Sequence, residues 1–409
     1  MAQTLFAQPA APPSAVPHLI RSDDEAIDAA HRLAADFIID ASRRDSSRLL
    51  PWDELDRFAQ SGLWGATVPK EFGGAGISAV TLARVIAIIG AADGSLSQIP
   101  QNHFYALEVL RVGASDAQKR FFYGRVLAGD RLGNALAEIG HKDFQRRTRL
   151  VRADGGLFVE GRKFYCTGAI YAHWIPTLVV AEEGGAQIQY LAMVPRTAPG
   201  VTITDDWDGF GQRVTGSGSV AFDHVEIQPE WVIPFQVSFE RPTTIGPVAQ
   251  IMHAAIDLGI GKGAYQETLQ FVRARARPWL DAKVERAADD PLILSQLGNV
   301  RLRLNAAEAL VERAGRLVDL AQQDMTDDSV AAASIAVAQA RILTTKAGLL
   351  AANKLFELSG TSSTLADDNF DRYWRNVRTH TLHDPVRWKY QAVGQYYLNG
   401  ERPPRHGAL

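Results

Sequence analysis

The chain has 409 residues, enough for two or three domains around a large buried core. Apolar residues make up 46% and charged residues 22%, an ordinary globular balance, and the net charge of −3 gives no argument for binding nucleic acid or an acidic membrane surface. Cys166 is the only cysteine, which excludes an intrachain disulfide or a multi-cysteine metal site and suits a reducing cytoplasm.

Met1 to Pro17 is rich in Ala, Pro and Gln and lacks the basic start and apolar stretch of a secretion signal. It reads as a loose arm over residues 1–21. Residues 22–135 read as a helical domain. Ser22-Asp23-Asp24-Glu25 is a helix start with an acidic first turn. Pro51-Trp52-Asp53-Glu54 opens another helix, and Pro69 to Gly76 is a glycine-rich break. Helical spacing then runs from Val80 to Leu110.

Residues 136–240 read as a β-domain. Leu157 to Tyr165 alternates around a turn glycine, Gly161, and Ser219 to Ile227 is a second alternating strand. Thr177–Ala181 and Ile188–Val194 flank Glu182-Glu-Gly-Gly185, a hairpin signal. Residues 241–409 return to helical spacing, with an apolar stripe from Leu304 to Ala321 and a long alanine-rich helix over Ala331 to Leu358. No run reads as long and apolar enough to span a bilayer. Helices, then strands, then helices indicate an α+β fold.

Four segments in order carry a resemblance. Pro69-Lys-Glu-Phe-Gly-Gly-Ala-Gly76, Gly161-Arg-Lys-Phe-Tyr-Cys-Thr-Gly168, Gly211-Gln-Arg-Val-Thr-Gly-Ser-Gly218 and Arg372-Tyr-Trp-Arg-Asn-Val-Arg-Thr-His-Thr-Leu-His-Asp-Pro385 resemble acyl-CoA dehydrogenase motifs. The last departs from the family, with His383 and Asp384 where the dehydrogenases have a tyrosine and a glutamate base. It resembles the flavin-dependent monooxygenase branch: the sulfur-acquisition oxidoreductases linked to dimethyl sulfone use and, more distantly, dibenzothiophene monooxygenase. The resemblance implies an acyl-CoA dehydrogenase-like fold ending in a four-helix bundle, and a homotetramer with the flavin at a subunit interface. It implies reduced FMN from a separate flavin reductase, reacting with O2 through a C4a-hydroperoxyflavin to oxygenate a small organosulfur substrate.

The resemblance implies a histidine in this C-terminal segment that gives or takes a proton, and His383 or neighbouring His380 matches it. The resemblance to dibenzothiophene monooxygenase, with an active-site histidine in this first helical region, makes His103, in the polar cluster with Asn102 and Tyr105, a second candidate for the same pocket. The resemblance puts Asn134 on the strand that passes the flavin, where a carboxamide suits an oxygen of peroxide or substrate. Asp384 either orients His383 or is a shortened dehydrogenase base. Each has a plain structural alternative: a surface histidine at 383, a structural histidine at 103, a turn residue at 134.

For the cofactor, the resemblance places the hydroxyl and amide of Thr167, with Gly168, at the flavin ring and Tyr165 across its face. It aligns Arg275 with an arginine reaching a neighbouring subunit's flavin. Gly360, Ser362, Ser363, Arg372 and Arg375 offer donors to a phosphate, although the arginines can equally pair with Asp367, Asp368 and Asp371. Arg277-Pro278-Trp279 replaces the usual motif after Arg275, which favours FMN over FAD. Cys166 reads as a core residue. The ten histidines are scattered, with no metal constellation, and no Rossmann glycine fingerprint occurs. Two other readings stay open: an acyl-CoA dehydrogenase-like FAD enzyme using Asp384, and a scaffold that has lost its flavin.

Overall fold

Side-chain caps open four of the N-terminal helices. The computed structural model describes residues 17–139, 146–153 and 155–409, so most of the expected N-terminal arm lies outside the described residues. Ser22 accepts from the Glu25 amide and opens α1 (Asp23–Phe37). α2 (Ala41–Ser46) follows, and Pro51 leads into α3 (Trp52–Gln60).

The apolar run from Val80 to Leu110 is not one helix. Asp93 leaves helical geometry at φ −151°, and its carboxylate accepts from the Ser95 and Leu96 amides. That cap splits the run into α4 (Ala79–Ala92) and α5 (Gly94–Gly113). Buried Arg44 on α2 holds the same carboxylate at 2.9 Å. The break therefore depends on a partner 49 residues away. α6 (Asp116–Leu127) completes this layer.

Among the described residues seven strands follow: β1 (Arg149–Ala153), β2 (Gly156–Lys163), β3 (Trp174–Glu183), β4 (Ala186–Pro195), β5 (Val201–Thr204), β6 (Ser219–Glu226) and β7 (Val232–Pro234). They form one sheet in the order β5-β6-β2-β1-β3-β4-β7. β1 and β3 run parallel; the other neighbours are antiparallel. The expected β3–β4 hairpin turns at Gly184 and Gly185, both at positive φ.

Gly161 does not turn the chain. It lies inside β2, where the register against β6 shifts in a bulge. Its φ is +138°, and a Cβ there would stand 2.7 Å from Thr148 Cα. Gly161→Ala is expected to cost about 1–3 kcal/mol through backbone strain. A chemical-denaturation midpoint equal to wild type would refute this.

The last layer is α7 (Ile245–Ala274), α8 (Pro291–Gln323), α9 (Asp327–Ser359), α10 (Asp371–His380) and α11 (Val386–Asn399). On α8 the expected stripe is buried at Leu304, Ala307, Val311, Ala314, Val318 and Ala321. α9 packs on both α7 and α8. By length and composition α9 is apolar enough to cross a bilayer, contrary to the reading above. The same window is 67% buried inside the protein, so its apolar surface is spent on neighbouring helices.

Candidate active site

A cavity of about 790 Å³ opens where the three layers meet. α5 supplies Gln98, Gln101, Asn102 and Tyr105 to its wall, and the segment after α6 supplies Asn134 and Leu136. The turn after β2 adds Tyr165 and Thr167; the chain between β5 and β6 adds Trp207, Phe210, Thr215 and Ser217. α7 adds Gln250 and His253, and the end of α10 with the chain beyond it adds Thr379, His383 and Asp384. Its size and its mix of aromatic and polar groups suit a small-molecule site.

A histidine cluster forms one wall. His380 is fully buried behind the cavity, with Nδ1 2.5 Å from Asp257 Oδ1 and Nε2 2.9 Å from His253 Nδ1. Asp257 also pairs with buried Arg341 and accepts from Thr345 Oγ1 at 2.9 Å. A carboxylate only accepts, so His380 donates from Nδ1 and its Nε2 must accept from His253 Nδ1–H. His253 is thereby locked with Nε2 unprotonated. Burial first, then nearby charge, holds His253 and His380 well below the usual imidazole range. Burial raises Asp257 to about 6 against the pull of Arg341.

His383 completes the cluster, its ring 4.9 Å from that of His253. It faces the cavity, and its Nδ1 lies 3.1 Å from the His380 carbonyl. The residue is open to solvent on its cavity side, but desolvation by the groups packed around the ring lowers its pKa, with Arg341 adding to the shift and the bond to the His380 carbonyl and Asp384 opposing it. The three rings offer nitrogens within 4.8 Å of one another, so the histidines are not all scattered. The His253–His380 bond uses the lone pair a metal would need, and this favours holding protons.

A second wall is a hydroxyl chain. Thr215 Oγ1 donates to the Gln212 carbonyl at 3.0 Å, which uses its one hydrogen. Ser217 must then donate to Thr215, and Thr167 to Ser217, each at 2.7 Å. Thr167 is left with oxygen lone pairs only, which suit an N–H donor. Gln98 Oε1, Asn134 Oδ1, Gln250 Oε1 and Thr379 Oγ1 belong to residues lining the same cavity and, among the described residues, are buried without a protein partner. Such a wall fits a ligand rich in N–H and O–H groups. Tyr165 and Trp207 stand edge to face at 6.2 Å and offer aromatic surface to a planar ring.

The structure brings His383, Asn134, Asp384, Thr167 and Tyr165 to one cavity and keeps the other candidates out of it. His103 does not face the pocket. It is fully buried, accepts from the Leu132 amide at Nδ1 and bonds the Trp64 carbonyl through Nε2. Burial lowers it to about 3, so it stays neutral. Gly168 forms the turn behind Thr167 at φ +75°, with its amide on the Thr215 carbonyl. Cys166 is buried, and desolvation pushes its thiol up to about 12.

The phosphate candidates also lie outside this wall. Arg275 forms a two-bond pair with Asp368, and Arg375 pairs with Asp45 and Asp371. Arg372 is buried against Glu267 and the Tyr373 hydroxyl. Ser363 is buried and donates to the Gly360 carbonyl, while Ser362 is exposed. Sequence reasoning missed His253, Asp257 and Gln98. A signal existed for the first two: they stand four apart, on one face of the mostly apolar first half of α7.

Comparison with known proteins decides the family. The N-terminal domain model of acyl-CoA dehydrogenase matches residues 22–130, and the C-terminal domain model matches residues 251–388. Dibenzothiophene monooxygenase of Rhodococcus erythropolis is 31% identical over 93% of this chain and 95% of its own. The chain belongs to the acyl-CoA dehydrogenase superfamily, in its flavin-dependent monooxygenase branch. Its N-terminal helices, middle sheet and C-terminal helices are that superfamily's fold. The probable FMNH2-dependent monooxygenase SfnC of Pseudomonas putida is 30% identical over 91% of this chain and 95% of its own. Dibenzothiophene monooxygenase, given above as the more distant resemblance, is thus no less similar than SfnC. FMN-bound TdsC of Paenibacillus sp. A11-2 superposes with a TM-score of 0.89, at 31% identity over 94% of this chain and all of that one.

Proposed function

We propose that this monooxygenase uses reduced FMN, delivered by a separate flavin reductase, and O2 to oxygenate a small organosulfur compound. One observation carries the reading. A single cavity holds a histidine able to move a proton, His383, and a hydroxyl chain whose acceptor end, Thr167, suits the N–H groups of a reduced flavin. The FMN-bound relative and the organosulfur relatives support the same choice. Reduced FMN, when bound, supplies the electrons that activate O2 for transfer of one oxygen atom.

The chain's own residues do the rest. His383 gives or takes the proton at the cavity wall, with His253 and His380 held neutral behind it. Thr167 orients the cofactor ring, and Tyr165 and Trp207 enclose it. Asn134 holds an oxygen of the reacting pair through its carboxamide. Asp384 accepts from Gln250 Nε2 at 2.9 Å and tethers the chain beyond His383. We assign it this holding role in preference to that of a dehydrogenase base. The assembly is a homotetramer, in which exposed Arg275, Gly360 and Ser362 of a neighbouring subunit meet the cofactor phosphate.

The test is ¹⁸O2 labelling with reductase-supplied FMNH2 and a panel of sulfides, sulfones and sulfonates. One labelled oxygen in a sulfur product is expected. Peroxide released as fast as without protein, or bleaching of bound FAD by an acyl-CoA thioester, would overturn the reading.

A further inference from the structure

His383 is gripped from two sides. Nδ1 lies 3.1 Å from the His380 carbonyl, and Nε2 lies 3.3 Å from Gln98 Nε2 on α5. A carbonyl only accepts, so Nδ1 carries hydrogen; in the neutral ring Nε2 is bare and accepts from the Gln98 amide. That orientation leaves Gln98 Oε1 buried and, among the described residues, unpartnered, on a residue only 2% exposed. The arrangement fits a neutral ring and no other. A hydrogen on Nε2 would point at the amide hydrogens. Turning the amide over removes that clash and gives Oε1 its missing partner as a charge-assisted bond.

We propose that Gln98 is a positioning residue that turns over with the protonation of His383, presenting N–H to the neutral ring and its carbonyl to the imidazolium. The proposal rests on the reading of His383 as the group that moves the proton. His253 and Asp257 on α7, Arg341 on α9, His380 on α10 and Asp384 beyond it surround the ring. Arg341 opposes a charge on His383, whereas Asp257 and Asp384 favour it. His253 keeps an acceptor lone pair at Nε2 but makes no hydrogen bond to His383, whereas Gln98 stands at hydrogen-bond distance from His383 Nε2. The Gln98 carbonyl is therefore the adjustable acceptor for the imidazolium.

The experiment is the pH profile of oxygen-dependent reoxidation of reduced FMN by the full-length enzyme. Wild type loses rate as pH rises through the apparent pKa of His383. Gln98→Glu keeps the shape and adds a carboxylate, so the falling limb moves up by about one pH unit or more. Gln98→Met neither donates nor accepts, so the limb moves down. A purely structural role would not displace one limb in opposite directions. Limbs that move the same way, or stay put, overturn the proposal. If Gln98→Glu fails to fold, the downward shift in Gln98→Met decides alone. His383→Gln separates the two ideas. A limb lost there but unmoved in the Gln98 variants overturns this inference only; a limb retained there overturns the reading of His383 as well.

Discussion

His383→Ala is expected to slow oxygen transfer by about 10²–10⁴-fold, the range over which positioned acid–base groups act. The ring faces the cavity, and the His380 carbonyl and Gln98 aim it. It is also the ring of the cluster whose nitrogens are not committed to the buried chain ending at Asp257. Removing it empties space at the cavity wall, not in the packed core, so the thermal midpoint should fall by only a few degrees. His380→Ala makes the useful contrast. It removes a fully buried ring from between Asp257 and His253, so stability should fall along with rate. Single-turnover rates and melting curves on both variants check this. Equal rates in His383→Ala and wild type would remove His383 from the chemistry.

Arg341→Met should destabilise the protein by about 3–5 kcal/mol, the cost of stranding one partner of a buried ion pair. Arg341 and Asp257 are both fully buried and pair with each other. Arg341 also reaches the His253 and His380 carbonyls, at 3.3 and 3.4 Å. Without it, Asp257 keeps Thr345 and His380 as partners but no counter-charge. A loss of that size is a large fraction of ordinary folding stability.

The loss should depend on pH, and its sign is fixed. Asp257 already sits above its usual value, at about 6, and removing the cation raises it further. The folded variant then binds a proton that the unfolded chain releases, so stability falls as pH rises through that range. The deficit should be smaller near pH 5 than near pH 8, as urea midpoints would show. A deficit independent of pH would mean that packing, and not the stranded carboxylate, is responsible. Arg341→Met with Asp257→Leu should recover part of the stability, since no charge is left buried.

Much of this protein was legible from its chain alone. Helix starts at Ser22, the hairpin at Gly184-Gly185 and the stripe on α8 depend on neighbours within a few residues, so local pattern determined them. Four motifs in order determined the superfamily, and the departure at His383 and Asp384 pointed to its monooxygenase branch. The reach of local pattern ended where a feature needed a distant partner. The α4–α5 break takes Arg44, and the bulge at Gly161 takes β6 and Thr148. Gln98 and His103 lie five residues apart on α5, about 140° around the helix. Packing sends the first to the cavity and seals the second against Trp64 and Leu132. The proton network is the extreme case. Asp257 meets His380 across 123 residues, and Gln98 meets His383 across 285. Sequence spacing determines which face of a helix a side chain takes. Which ring it then meets, and so which nitrogen holds the proton, was decided only when helices from both ends of the chain packed together.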